Sequence, residues 1–323
     1  MSGSRSPLPL GELPLSRGSL DRAAHRRLEP DLVPKLLADP ATQVVVIVSE
    51  SMEIFPDGSL AIRPPVLDDR HRLAFFLGEE ESGSDSDADP STDTESERVS
   101  YLAVVGDPTV AAGHGHWQTL RNAGPDLTGR DAGIFATTQA LANWHATHQF
   151  CPRCGAATEP EQAGWIRRCT RDGSEHYPRT DPAVIVAVVD DQDRLLLGRN
   201  AQWPEGRFSV LAGFVEPGES FEAAVVREVQ EEVGIVVTDV TFLGNQPWPF
   251  PSSAMVGFRA RAATTSLHPD RVEMAEARWF TRDDYRNALI SNNIRTPSGI
   301  SIAQRLIENW LGHRVADLAK MSW

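Results

Sequence analysis

Gly213-Phe-Val-Glu-Pro-Gly-Glu219-Ser-Phe-Glu-Ala-Ala-Val-Val-Arg227-Glu228-Val229-Gln-Glu231-Glu232-Val-Gly234-Ile235 is the stretch from which the fold is read. Ser220 is placed to cap a helix, and Gly234 to end it in a left-handed conformation. Between them Phe221, Ala224, Val225, Val229 and Val233 recur at helical spacing, which predicts packing of one face against a sheet. Glu228 and Glu232 are four apart and Glu231 is three from Glu228, so the three carboxylates cluster on one side. Such like-charged neighbours weaken an isolated helix by a few tenths of a kcal/mol per pair. A divalent cation removes that penalty, and magnesium prefers hard oxygen donors. Arg227 can meet Glu231 one turn on, or reach back to Glu219. Taken alone, the same pattern also describes a merely solvated charged face.

The spacing is glycine, five residues, glutamate, seven residues, then Arg-Glu-aliphatic-x-Glu-Glu-x-Gly-aliphatic. This resembles the Nudix signature at every specified position. The resemblance implies an α/β/α sandwich over about 180–315 that splits phosphoanhydrides. It also implies Mg²⁺ or Mn²⁺ on Glu228, Glu231 and Glu232, with the Ala212 carbonyl as a further ligand. The flanking pattern agrees. Ala183–Val189 and Arg194–Gly198 predict a hairpin around Asp190–Asp193, followed by a strand at Phe208–Val215, and Ser301–Leu311 predicts a last amphipathic helix. The fold class expected is α/β, with the sandwich joined to a zinc-ribbon-like segment and an N-terminal α+β domain.

Downstream lies Asn245-Gln246-Pro247-Trp248-Pro249-Phe250-Pro251-Ser252-Ser253. Alternating prolines predict a stiff, extended path. Trp248 and Phe250 held on it either stack on a flat heterocycle or pack as an edge loop. Here the chain resembles the NADH pyrophosphatase (NudC-type) subfamily, whose marker differs only in a serine where Asn245 stands. That resemblance implies hydrolysis of NADH or NAD⁺ at the central diphosphate to NMN(H) and AMP, and removal of NAD caps from RNA. It implies that Gln246–Ser253, Tyr177 and Ala303 meet substrate. It also implies that Glu273 contacts metal and competes with Glu231 as general base, and that the chain is a homodimer. Arg121 is a candidate phosphate contact or a surface ion pair.

Cys151-Pro-Arg-Cys154, fourteen residues, then Cys169-Thr-Arg-Asp172 repeats zinc-ribbon spacing with Asp172 in the fourth cysteine's place. Two CxxC knuckles ordinarily supply four thiolates to Zn²⁺. Asp172 can ligate through oxygen, His176 stands near enough to compete, and a vestigial site is the third reading. Any zinc here would be structural.

The 323 residues allow two or three cores. The division expected is 1–140, containing a disordered acidic insertion at 79–98, then 141–180 for the cysteine segment and 181–323 for the sandwich. Earlier elements expected are a helix at Leu32–Leu37, strands at Gln43–Val48, Leu60–Ile62, Leu73–Phe76 and Tyr101–Val105, and a helix at Asp131–His148. Glu79–Glu97 holds nine acidic residues and no basic one, and lacks the apolar groups to offset its ordering entropy. The net charge of −14 disfavours non-specific nucleic-acid binding. No apolar run is long enough to span a bilayer, and three cysteines do not make a disulfide framework, so a cytoplasmic setting is expected. A non-catalytic ligand sensor is the rival from another class; the intact set of box carboxylates speaks against it.

Overall fold

In the computed structural model, which describes residues 10–81, 98–107, 115–297 and 299–318, the apolar run at 183–189 becomes the middle of a sheet. It lies in strand β9 (Asp181–Val189), described below with its neighbours. One compact unit comprises Met1–Ser16, Asp181–Trp248 and Ser253–Trp323; the other comprises Arg17–Thr180 and Pro249–Ser252.

The second unit begins with α1 (Leu32–Leu36), β1 (Gln43–Val48), β2 (Ser51–Ile54), β3 (Ala74–Glu81), β4 (Arg98–Val105) and β5 (His116–Thr119). These strands form one sheet in the order β3-β4-β1-β2-β5, with β1 and β4 parallel. Helices α2 (Leu120–Ala123) and α3 (Gly129–Thr147) follow. Thr128 caps α3 by accepting from the Asp131 amide. Leu60–Ile62 is not a strand: Leu60 makes a lone bridge to Ile54 and Arg63 one to Val44. Nor is Glu79–Glu81 part of a disordered loop, as its acidity suggested; these residues continue β3. Glu79 is buried there because Arg26 and Arg98 supply counter-charge and Asp21 pairs its backbone. The rest of the acidic insertion, 82–97, lies outside the described residues.

A small ribbon completes this unit: β6 (Thr158–Glu161), β7 (Ile166–Cys169) and β8 (Glu175–His176). Its anchor is buried Arg167, which donates to the Thr158 hydroxyl and carbonyl and to His145 Nδ1 at 2.8 Å. Because arginine only donates and a carbonyl only accepts, His145 carries its proton on Nε2, toward Gly164 O at 2.9 Å. The ring is therefore neutral. Burial, then the facing Arg167, hold its pKa down at about 4, against the Gly164 bond.

In the first unit, β9, β10 (Leu195–Asn200), β11 (Leu211–Phe214), β12 (Val237–Trp248), β13 (Ser253–Ala262) and β14 (Met274–Phe280) form a mixed sheet. The order is β12-β13-β9-β10-β14, with β11 also on β9. Strand period two explains the layers. Ile185, Ala187 and Val189 face a core shared with α5 (Arg282–Ile290) and α6 (Ile302–Leu311); Val184, Val186 and Val188 face α4 (Phe221–Val233). A short α7 (Val315–Leu318) ends the description. The expected hairpin is only partly formed. Asp190 closes the turn by accepting from the Gln192 and Arg194 amides, but β10 meets β9 only at Leu195–Val189 and then pairs with β14. The freed edge of β9 takes β11 instead. The strand expected at Phe208–Val215 is correspondingly shorter.

Since His145 binds no proton in the fold near neutrality but titrates near 6.5 when unfolded, its contribution is complete above pH 6.5 and is lost as pH falls toward 4. His145→Gln is expected to cost about 2 kcal/mol at pH 7, with the gap to wild type narrowing at pH 5. Thermal melting of both proteins across that range checks this; a constant gap rejects it.

Candidate active site

Helix α4 forms as its sequence requires. Ser220 accepts from the Ala223 amide, Gly234 closes the helix at φ 71°, and Ala224, Val225, Val229 and Val233 are buried against the sheet. That leaves Arg227, Glu228, Glu231 and Glu232 to define a second face. Arg227 is held by five hydrogen bonds: two to Glu219, one each to Glu228 and Glu231, and one to the Phe214 carbonyl. It holds Glu219 down at about 2, chiefly through that side-chain bond.

Glu232 is buried, and its Oε2 has no partner among the described residues. Burial first, then Glu228, Glu273 and Asp270, push it up to about 8. Glu228 is also raised, by burial first and by Glu231 and Glu273, with Arg227 opposing. Glu228, Glu232 and Glu273 thus share one electrostatic environment with too little positive charge. Glu231 sits at the open side of this group: it adds to the negative charge on Glu228, its side chain is 60 % exposed, and it shares Arg227 with Glu228. Hard oxygen donors, one of them orphaned in the interior, fit a divalent cation such as Mg²⁺ or Mn²⁺.

Gly213 is where β11 meets this face. A Cβ there would lie 1.9 Å from the Glu228 carboxyl carbon, so only glycine admits the carboxylate. Ala212 precedes it, in register with Ile185. Sequence reasoning missed Asp270. Its carboxylate accepts from the Val272, Glu273 and Met274 amides, fixing the turn that presents Glu273. The signal was an aspartate two residues before the Val-Glu pair, an Asx turn.

Other expected site residues have structural occupations. Gln246 is 1 % exposed and donates to Ile300 O. The Ala303 amide donates to the Ser301 cap, and Ala303 itself is buried in α6. The predicted extended proline path ends at Trp248: Asn245, Gln246, Pro247 and Trp248 belong to β12, whereas Pro249–Ser252 turn back into β13 at Ser253. Tyr177 is 64 % exposed and donates to Glu175. Arg121 lies 3.8 Å from the Phe250 ring centroid, a cation–π contact.

Ligand atoms of Cys151, Cys154, Cys169 and Asp172 all lie within 4.8 Å of one another. The knuckles aim backbone amides at sulfur: Arg153 at Cys151, and Arg171 and Asp172 at Cys169. Burial opposes ionisation of Cys151, but bonds from Ser174, the two knuckle amides and His176 bring it to about 6. Ser174 holds Asp172 Oδ1, leaving Oδ2 toward Cys151. His176 bonds Ser174 at 3.2 Å and also reaches Cys151, but is not one of the four grouped ligands. Three thiols and one carboxylate oxygen suit tetrahedral Zn²⁺.

Comparison with known proteins agrees with this geometry. The NUDIX domain model matches residues 179–297, and the NADH pyrophosphatase zinc ribbon domain model matches 146–177. A protein named NAD-capped RNA hydrolase NudC, from Mycobacterium bovis, is 38 % identical over 318 residues, covering 92 % of this chain and 94 % of its own. Human NAD-capped RNA hydrolase NUDT12 is 40 % identical over 197 residues, 57 % of this chain and 43 % of that one. Among solved structures, a NUDIX hydrolase from Nitrosomonas europaea is 21 % identical with a TM-score of 0.39, covering 51 % of this chain and 94 % of its own. The fold and the carboxylate helix define a Nudix hydrolase. Within that family the chain belongs to the NADH pyrophosphatase, NudC-type, subfamily that carries a zinc ribbon.

Two outcomes follow for the site. Gly213→Ala displaces Glu228 and is expected to weaken apparent Mg²⁺ affinity about 10-fold or more with little change in melting temperature, as read from metal-dependent turnover. Purified protein is expected to carry about one zinc per chain, kept in Asp172→Cys and lost in Cys154→Ser. Metal analysis finding well under one zinc in wild type rejects the filled site.

Proposed function

We propose that this chain hydrolyses the central diphosphate of NADH and NAD⁺ to NMN(H) and AMP, and removes NAD caps from RNA 5′ ends. The observation that carries the reading is the crowding of Glu228, Glu232 and Glu273, built onto α4 and the Asp270 turn, with the buried Oε2 of Glu232 left without a partner among the described residues. We assign these three and Glu231, with the Ala212 carbonyl, as holders of Mg²⁺ or Mn²⁺. When bound, such ions neutralise diphosphate oxygens and lower the pKa of the attacking water. Arg227 and Glu219 keep the helix face in place. Glu273 and Glu231 are the two candidates for proton acceptor. Catalysis in such phosphoryl chemistry is mostly positioning and charge stabilisation.

Substrate choice falls to the proline-rich segment and Tyr177. Trp248 and Phe250 offer flat apolar surfaces for the heterocycles, and the prolines limit the entropy lost on binding. The relatives' names support NAD-capped RNA as a second substrate at the same bond. Cys151, Cys154, Cys169 and Asp172 hold a structural zinc, with no open position needed. The functional division we propose runs 1–140, 141–180 and 181–323. We also propose a cytoplasmic homodimer, a reading supported by the free cysteines for location and by the subfamily for assembly. No helix among the described residues is long and apolar enough to cross a membrane.

The test is chromatography of NMNH and AMP formed from NADH with Mg²⁺, with Mn²⁺ or with chelator. Glu232→Gln is expected to lower turnover about 100-fold or more, and NAD-capped RNA is expected to lose its cap in the same reaction. Undiminished activity in that variant removes the metal assignment, and much faster cleavage of ADP-ribose than of NADH removes the substrate.

A further inference from the structure

The turn Pro249-Phe250-Pro251-Ser252 poses a local problem of hydrogen bonding. Proline has no backbone N–H, so a Pro-Phe-Pro turn cannot close itself with a reciprocal ladder, and its carbonyls need donors from elsewhere. Helix α3 supplies them. Gln139 and Asn143 are four residues apart and therefore on one helix face. Gln139 Nε2 donates to Pro249 O at 3.0 Å, and Asn143 Nδ2 donates to Pro249 O at 3.2 Å and Pro251 O at 3.1 Å. Gln139 is 1 % exposed, so its bond forms away from competing water. The carbonyls so held are those before and after Phe250, whose ring also carries the Arg121 guanidinium. Turn, α3 and Arg121 all belong to one compact unit.

We propose that Gln139 and Asn143 are positioning residues for substrate binding. Their side-chain amides fix the Pro249–Phe250 and Pro251–Ser252 peptide planes that bracket the Phe250–Pro251 unit, and so the orientation in which the Phe250 ring is offered to a heterocycle of the dinucleotide. Arg121 then serves as backing for that ring, not as a phosphate contact. Neither amide touches the diphosphate, and no proton moves through them. The inference rests on the reading that Phe250 meets a base of NADH. Pre-setting the ring lowers the ordering cost of binding, so its loss appears in KM before kcat.

Asn143→Asp keeps the shape and removes both donated bonds; Gln139→Met keeps the length and removes the third. Each is compared with wild type in NADH kinetics, in Mg²⁺ activation, in melting temperature and in hydrogen–deuterium exchange over 250–256. Asn143→Asp is expected to raise KM for NADH about tenfold, with kcat and Mg²⁺ activation within about twofold and faster exchange at Phe250, Ser252 and Ser253. The double variant is expected to raise KM further. Unchanged KM with unchanged exchange overturns the proposal. So does a fall in kcat that tracks lost folded protein at constant KM, the mark of a merely structural role. A wild type that does not split NADH sinks the substrate reading, and the proposal with it. That outcome is visible before any variant is made.

Discussion

A carboxylate buried without its own counter-charge is the constraint around which the sandwich is arranged. Glu232 lies in the interior on the same helix as four residues that pack into the sheet, so it cannot turn to water without moving the core. Glu228 beside it presses against β11 where any side chain larger than hydrogen would collide. The apolar face of α4 and its acidic face are thus fixed by the same packing. Order in the hydrophobic layer is transmitted directly to the spacing of the acids. An isolated helix with this sequence would relieve the repulsion by spreading its side chains; the folded one cannot.

The fold was legible where a single local rule acted. The cap at Ser220, the stop at Gly234 and the two-faced burial of 183–189 follow from neighbouring residues alone. Partner choice was less legible. The hairpin after Asp190 forms only in part, because β10 meets β9 at Leu195–Val189 and then pairs with β14, a strand far along the sequence. The acidic run failed at its start because Arg26 and Asp21 reach Glu79 from a distant segment. Composition cannot register a counter-charge delivered by tertiary contact.

The site divides in the same way. The box residues could be named from spacing, which placed Glu231 with Glu228 and Glu232. Glu231 is the most exposed of the three and shares Arg227 with Glu228, while Glu273 and Asp270 add to the charge around Glu232 from a distant segment. Asp270 was overlooked because its work is done on backbone amides, which leave only the short Asx pattern in a sequence. In the ribbon, the carboxylate standing for a cysteine is usable because Ser174 occupies one oxygen and aims the other.

Arg227 has one more consequence. A guanidinium offers five N–H groups, and all five of its hydrogen bonds go to the protein itself. It has no donor left for an incoming phosphate, although it is the cation nearest the acidic face. An anion arriving at this helix face therefore finds every N–H of Arg227 already donated to the protein. Any cation held by the neighbouring carboxylates and any anion held by that cation would be linked, each making the other tighter by the same factor.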